Sequence, residues 1–239
     1  MVQHSSLLTA RWGSFNNEQE CVPLYSHTES HKMETLVKRP VIIYAESTPN
    51  PSSMKFVANQ LMIMDGATAQ FLSKAETKGS PLAAKLFEFP FVKAVFLASN
   101  FVTINKTDNV QWDDVILELR EFIRVFLTEG NTVITELPKA EVAIDSTFKE
   151  KKEVYTEHAA PANDIEVKIV ETLEQYIRPA VEGDGGSITF KSFKEGIVTV
   201  QLRGACSGCP SSTLTLKAGI EGLLKRMIPE VKEVVSEAL

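Results

Sequence analysis

The stretch that decides the fold is GIVTVQLRGACSGCPSSTLTLKAGIEGLL, residues 196–224. Its first half alternates apolar and polar residues, which predicts a strand with one buried face. After Pro210, a residue suited to the first turn of a helix, apolar residues return at helical spacing. A strand, a glycine-rich loop holding Cys206 and Cys209, and a helix are therefore predicted. The predicted apolar stripe of that helix is Leu216, Ile220, Leu223, Leu224 and Met227.

The flanking sequence extends this unit to residues 163–239. A helix is predicted from Asp164, as its cap, to a stop at Pro179. The turn EGDGGS and the strand SITFKSF then form a hairpin with the strand of the deciding stretch. Beyond Pro229, VKEVVS supplies a last strand. The order α-β-β-α-β predicts a small α+β domain with a three-stranded sheet and two helices on one face.

A second α+β domain is predicted over residues 41–135. Its hairpin turns at Ser99-Asn100, and a strong amphipathic helix follows a cap at Asp108 or Asn109. Strands are also predicted at 41–47, 54–59 and 61–65, and helices at 67–76 and from Pro81. Its core is predicted to include Phe87, Phe89, Phe91 and Phe96.

Two segments lack periodicity. Residues 1–40 are predicted to be a disordered extension, and the charged residues 136–162 a linker between the domains. The extension has no apolar segment typical of a secretory signal, and it combines one early arginine with Glu18, Glu20 and Glu29, which disfavours an organelle transit peptide. A cytoplasmic location is therefore predicted rather than a mitochondrial one. A second start at Met33 is a further hypothesis, which would make residues 1–32 dispensable.

Composition excludes several classes of function. The 239 residues carry a net charge of −6, and no basic face is visible, so nucleic-acid binding is not expected. No apolar run approaches the ~20 residues needed to span a bilayer, so no membrane segment is expected. Neither a dinucleotide fingerprint nor a phosphate-binding loop occurs. Three cysteines are too few for a disulfide-built secreted fold.

The pair Cys206 and Cys209 is the one constellation with ligand spacing. Two thiols two residues apart can point the same way from a turn, and Gly204 and Ala205 are expected to leave the approach open. A helix N-terminus follows the loop and is expected to lower the thiol pKa, and thiolate is the form that binds soft metals. A cluster or metal site, a redox dithiol and half of a zinc site all fit these residues. Arg203 could offset the charge of a bound cluster.

The number of cysteines bears on these alternatives. Iron–sulfur clusters and cysteine-only zinc sites commonly take four cysteine ligands, and the only other cysteine here is Cys21 in the extension. Two chains related by a twofold axis could supply Cys206 and Cys209 twice. Such a site at an interface would lose its cargo easily, as a carrier must.

The sequence resembles the Nfu/NifU iron–sulfur scaffold family. The C-terminal resemblance is carried by DGGSITF, the deciding stretch and PEVKEV, and the N-terminal one by TPNPSSMKF and SPLAAKLFEFPFVKAVFLASNFVTINK. The resemblance implies a [4Fe-4S] cluster bridged between two protomers, with Cys206 and Cys209 as ligands; a [2Fe-2S] form stays open. It also implies an upstream cluster donor and apo iron–sulfur proteins as clients.

We therefore predict a non-enzymatic carrier, homodimeric when loaded. The alternatives are a thioredoxin-like dithiol oxidoreductase and a structural zinc-bridged dimer. The first expects its cysteine pair after an early strand in a βαβ pattern, whereas here the pair lies late, after an antiparallel hairpin.

Overall fold

Alternating apolar residues in the first half of the chain form a five-stranded antiparallel sheet. The computed structural model describes residues 40–136, 157–207 and 210–237, but for residues 210–213 it describes only the backbone. The strands pair in the order β1-β2-β5-β4-β3. β4 and β5 form the predicted hairpin, in which Ser99 takes a positive φ of 33°. The strand bounds are β1 Ile43–Ser47, β2 Ser53–Ala58, β3 Thr68–Phe71, β4 Val92–Ala98 and β5 Phe101–Lys106.

Two predictions in this half were wrong. Residues 61–65 are not a strand, and the helix predicted over 67–76 is replaced by β3 and a 3-10 helix, Lys74–Gly79. Because β3 pairs with β4 from Thr68↔Ala98 to Phe71↔Val95, hydrogen bonds to a distant strand override the local helical preference of this segment.

Two α-helices accompany this sheet. The short helix α1, Pro81–Leu86, begins as predicted at its proline, and Ser80 Oγ accepts the Ala83 N–H. The amphipathic helix α2 covers Trp112–Thr128. Its N-cap is Gln111, without a side-chain cap hydrogen bond, so the predicted cap at Asp108 or Asn109 was wrong by two residues or more.

The two faces of the five-stranded sheet carry separate apolar groups. Val95, Leu97 and Ile104 join the core that contains Leu119 and Ile123 of α2. Between them in sequence, Phe96, Ala98 and Phe101 form a small buried cluster of their own with Val57. Phe91 belongs to the main core, with Phe87 and Phe89 packed at its edge; Phe96 is buried as predicted, but in the separate small cluster.

The second half begins with an interrupted helix. Helix α3 covers Asp164–Thr172, one π-helical turn follows at Leu173–Ile177, and helix α4 covers Arg178–Gly183. The cap is Asn163, whose Oδ1 accepts the Glu166 N–H, so the predicted cap at Asp164 was one residue late. Pro179 does not end the helical path; it lies in the first turn of α4, where an absent N–H costs little.

The second sheet confirms the predicted α-β-β-α-β order. Strands β6 Gly186–Lys194 and β7 Ile197–Gly204 form the hairpin, and β8 Glu233–Glu237 pairs parallel to β7. Helix α5, Pro210–Met227, connects β7 to β8. Ile220 and Leu224 are buried in the core with Ile169 and Phe190, as predicted, whereas Met227 is 45% exposed, so its place in the predicted stripe was wrong.

The two sheets belong to one compact unit that starts at Arg39. Within the described residues, no helix is long and apolar enough to cross a membrane. The predicted disordered extension and most of the predicted linker, residues 137–156, lie outside the described residues. At the end of that linker, the chain runs beside β6, where Ala159 N–H donates to Phe190 O at 2.9 Å.

Candidate functional site

The loop that carries Cys206 joins the end of β7 to the start of α5. Gly204 turns the chain with a positive φ of 68°, and both the N–H and the Oγ of Ser207 hydrogen-bond to Gly204 O, at 3.2 and 2.9 Å. The deciding stretch therefore folds as predicted up to Ser207 and again from Pro210. Gly208 and Cys209 lie outside the described residues.

Cys206 is buried. Only 4% of the residue is exposed, and it packs in the apolar core with Leu202 and Ile220. Its Sγ fills the space over Gly186, where an added Cβ would lie 2.6 Å from the sulfur. A larger side chain at position 186 would therefore displace the thiol.

Burial, together with the smaller effect of the nearby Asp184 carboxylate, raises the pKa of the Cys206 thiol from its ordinary 9.0 to about 12. The expectation of a lowered thiol pKa was therefore wrong for Cys206. A helix N-terminus contributes about 0.3–1 kcal/mol, whereas one pKa unit is roughly 1.4 kcal/mol. Desolvation therefore outweighs the helix in this conformation, and Cys206 is held as a neutral thiol.

Two cavities border Cys206. One, of about 540 Å³, has mainly apolar walls, with Pro49 from the first half of the chain and Ile220 from α5, and with Asp184 beside the thiol. The other, of about 910 Å³, reaches Ser207 and is lined by more polar residues, including Lys93 and Glu237.

Side chains from the first half of the chain close the remaining approach to the loop. Asn50 Nδ2 donates to Ala205 O at 3.2 Å, and Gln70 Oε1 accepts the Gly204 N–H at 3.1 Å. A Cβ at Gly204 would lie 2.8 Å from a ring carbon of Phe96. The expectation that Gly204 and Ala205 leave the loop open was therefore wrong, because both are buried under the five-stranded sheet.

Arg203 is engaged by protein groups. Its guanidinium donates to Glu157 Oε2 at 2.5 Å, to Thr68 Oγ1 at 3.2 Å and to Gln201 Oε1 at 2.9 Å. Its side chain is 18% exposed and that of Glu157 6%. The hypothesis that Arg203 offsets the charge of a cluster is not supported, because a buried carboxylate already balances the guanidinium.

The described part of the chain contains no second candidate metal site. No group of three or more His, Cys, Asp or Glu residues is arranged there to hold a metal. His158 is buried between two partners, since Nδ1 accepts the Phe190 N–H at 2.7 Å and Nε2 faces Glu174 Oε1. Cys21 lies outside the described residues.

Sequence reasoning found Cys206 but missed the residues that cover it. Asn50 lies in the stretch TPNPSSMKF, which carries part of the resemblance, and Gln70 lies in the segment predicted as a helix over 67–76. Nothing in the local sequence marks either residue, since their role depends on packing between segments about 130 or more positions apart.

Both halves of the chain match family models. Residues 43–130 match the scaffold protein Nfu/NifU N-terminal domain, and residues 169–235 match the NifU-like domain. The chain is 37% identical over 202 residues to NifU-like protein 4, mitochondrial, of Arabidopsis thaliana, covering 84% of this chain and 67% of that protein. It is 34% identical over 208 residues to the NFU1 iron-sulfur cluster scaffold homolog, mitochondrial, of Drosophila ananassae, covering 87% and 68%.

A solved structure is also similar. The solution NMR structure of a NifU-like protein from Saccharomyces cerevisiae is 24% identical and covers 46% of this chain and 98% of that chain, with a TM-score of 0.36.

The relatives contradict the predicted cytoplasmic location, because both are named as mitochondrial proteins. The prediction averaged composition over forty residues. An import segment is a short, basic amphipathic stretch, and the first 17 residues of the chain contain no acidic residue; the glutamates that disfavoured a transit peptide begin at Glu18.

Proposed function

Because the chain belongs to the Nfu/NifU family, we propose that it is an iron–sulfur cluster scaffold that passes its cluster to apo-proteins. The observation that carries the proposal is the pair of family matches, which together span both halves of the chain and include the cysteine loop. A relative named as an iron–sulfur cluster scaffold, similar over 87% of this chain, supports the same role. The cluster is cargo in this proposal, and the protein performs no catalysis.

The ligands we propose are the thiolates of Cys206 and Cys209. The loop lies at the N-terminus of an 18-residue helix, where negative charge is favoured once the loop is exposed to solvent. One chain supplies two thiols, and cluster sites commonly take four, so we propose that two chains share one [4Fe-4S] cluster. A homodimer is then the loaded state.

Anaerobic reconstitution with iron, sulfide and reductant tests this function. The wild-type chain is expected to bind about two irons per chain with the visible absorption of a cluster, and to restore activity to an apo iron–sulfur enzyme when mixed with it. Cys206→Ser and Cys209→Ser are each expected to abolish cluster uptake. Cys21→Ser is the matched control and is expected to load normally.

Two results would contradict the proposal. One is a chain that binds no iron but reduces disulfides, which would favour the oxidoreductase alternative. The other is a chain that holds zinc against excess iron and sulfide, which would favour a structural zinc dimer.

We also propose a mitochondrial location. Fractionation of cells that express the full chain is expected to recover it with a mitochondrial matrix enzyme. Recovery with cytosolic markers alone would contradict this location.

A further inference from the structure

The five-stranded sheet presents one face to the cysteine loop. This face carries the apolar cluster of Phe96, Ala98 and Phe101, on the side of the sheet opposite α2. Phe96 meets the chain at Gly204, and Thr103 meets it at Gly185. We call this contact between the sheet and residues 183–206 the seam.

Side chains of the sheet hold the seam through backbone groups of the second half. Thr103 Oγ1 donates to Gly185 O at 2.7 Å, and Lys55 Nζ donates to Gly183 O at 3.3 Å. Gly185 O also accepts the Ala205 N–H at 3.1 Å, so Thr103 contacts the same carbonyl that anchors the cysteine loop. With the bonds from Asn50 and to Gln70, the seam fixes the backbone on both sides of Cys206.

One buried carboxylate joins the two sheets. Glu157 Oε1 accepts the Thr68 N–H of β3 at 3.0 Å, while Oε2 accepts from Arg203 of β7 at 2.5 Å. The Thr68 hydroxyl lies 2.8 Å from each of the two carboxylate oxygens of Glu157. Because Glu157 contacts both sheets, it acts as a clamp whose loss removes interactions on both sides of the seam.

The seam can separate without opening either main core. Each sheet has its own buried apolar core. Among the described residues, the only apolar cluster that faces the seam is the small one around Phe96. The remaining seam contacts described above are hydrogen bonds and one ion pair, the composition typical of interfaces between domains that move. Separation therefore leaves the apolar cores of both sheets intact.

We propose that the five-stranded sheet is a removable cover for the Cys206 loop, clamped shut by Glu157. In the closed form seen here, Cys206 is 4% exposed and cannot reach a second chain. In the open form, the loop is exposed while both sheets stay folded. The contacts between the described residues support the cover; its consequence for cluster loading rests on the proposed function.

Accessibility of the loop in the full chain tests the cover. Glu157→Gln keeps the size of the clamp but removes the charge that balances Arg203, and Thr103→Val removes the seam hydroxyl at nearly constant volume. The double variant is expected to alkylate Cys206 with iodoacetamide at least about tenfold faster than wild type at the same pH, as a shift of roughly 1.4 kcal/mol in the opening equilibrium implies. Hydrogen exchange at Thr68 and Gly204 is expected to rise with it, since both amides donate across the clamp or the seam.

The matched control is Glu121→Gln on α2, which breaks an exposed ion pair with Arg124 far from the seam. It is expected to leave alkylation and exchange at wild-type rates. Urea unfolding separates opening from unfolding, because opening leaves the main transition of the double variant in place. If the double variant is itself unfolded, Asn50→Ala provides the same measurement through the Ala205 contact.

Two results would overturn the cover. One is wild-type Cys206 alkylating as fast as in the urea-unfolded chain; the other is a folded double variant reacting no faster than wild type. Cluster loading is measured separately from alkylation. If the double variant alkylates faster but neither wild type nor any variant takes up iron, the cover is supported and the proposed function is rejected.

Discussion

Adding a single methyl group at Gly204 is expected to lower the free energy of unfolding strongly. Its φ is +68°, a region that costs other residues about 1–2 kcal/mol. An added Cβ would also lie 2.6 Å from Gly185 O and 2.8 Å from a ring carbon of Phe96. Overpacking of this kind costs roughly 1–3 kcal/mol. Gly204→Ala is therefore expected to lower the free energy of unfolding by about 2–5 kcal/mol.

Urea unfolding followed by far-UV circular dichroism measures this loss. Gly222→Ala on α5 is the matched control, because a Cβ there has nothing within 4 Å. Alanine in a helix interior should stabilise that variant by about 0.5–1 kcal/mol. Adding Phe96→Ala to Gly204→Ala should not restore stability, since the contact with the Gly185 carbonyl remains. The reasoning is refuted if Gly204→Ala is as stable as Gly222→Ala.

Three further predictions concern a cap, a carboxylate and the core. Asn163→Ala removes the acceptor of the Glu166 N–H and should lower the free energy of unfolding by about 0.5–2 kcal/mol, measured in urea; Asn163→Asp should retain most of it. Burial opposes ionisation of Glu174, but the hydrogen bond from His158 helps to hold its pKa below the ordinary 4.5. The ionised carboxylate therefore stabilises the fold above pH 4.5, and this stabilisation is lost as the pH falls through the lower pKa of the folded state. Thermal melts of Glu174→Gln should therefore show a shallower loss of stability below pH 4.5 than wild type, and an equally steep loss would contradict this. Phe56→Ala removes a fully buried ring and should cost about 3–5 kcal/mol; a loss below 1 kcal/mol would mean that the ring is not in the core.

Local sequence patterns were sufficient wherever the buried face of an element repeats with its own period. The β6–β7 hairpin, α5 and the last strand follow from alternation, helical spacing and proline positions. The family resemblance rested on the same residues, and the family matches agree with it.

Local patterns failed where a distant partner decides the structure. Residues 68–71 read as a helix, yet they form the edge strand β3 because β4 offers its hydrogen bonds. Phe96 is buried as predicted, but on the face of the sheet that meets Gly204 rather than in the main core. The partners that decide these outcomes, β4 for residues 68–71 and Gly204 for Phe96, lie far from these positions in the sequence.

The candidate site shows the same division. Spacing and the glycine-rich loop identified Cys206, but its burial depends on Asn50 and Gln70, which are far away in sequence. The predicted low thiol pKa considered the helix alone. In the folded chain, desolvation and the Asp184 carboxylate raise the pKa of Cys206 instead. The guanidinium of Arg203 is paired with the carboxylate of Glu157.

Native mass spectrometry of the anaerobically reconstituted full chain tests the central claim most directly. It counts chains and cluster atoms in one intact particle. We predict a particle of two chains with a single [4Fe-4S] cluster, and clusterless monomers when Cys206→Ser is reconstituted in the same way. A cluster held by one chain, or a loaded dimer that persists in Cys206→Ser, would contradict the account.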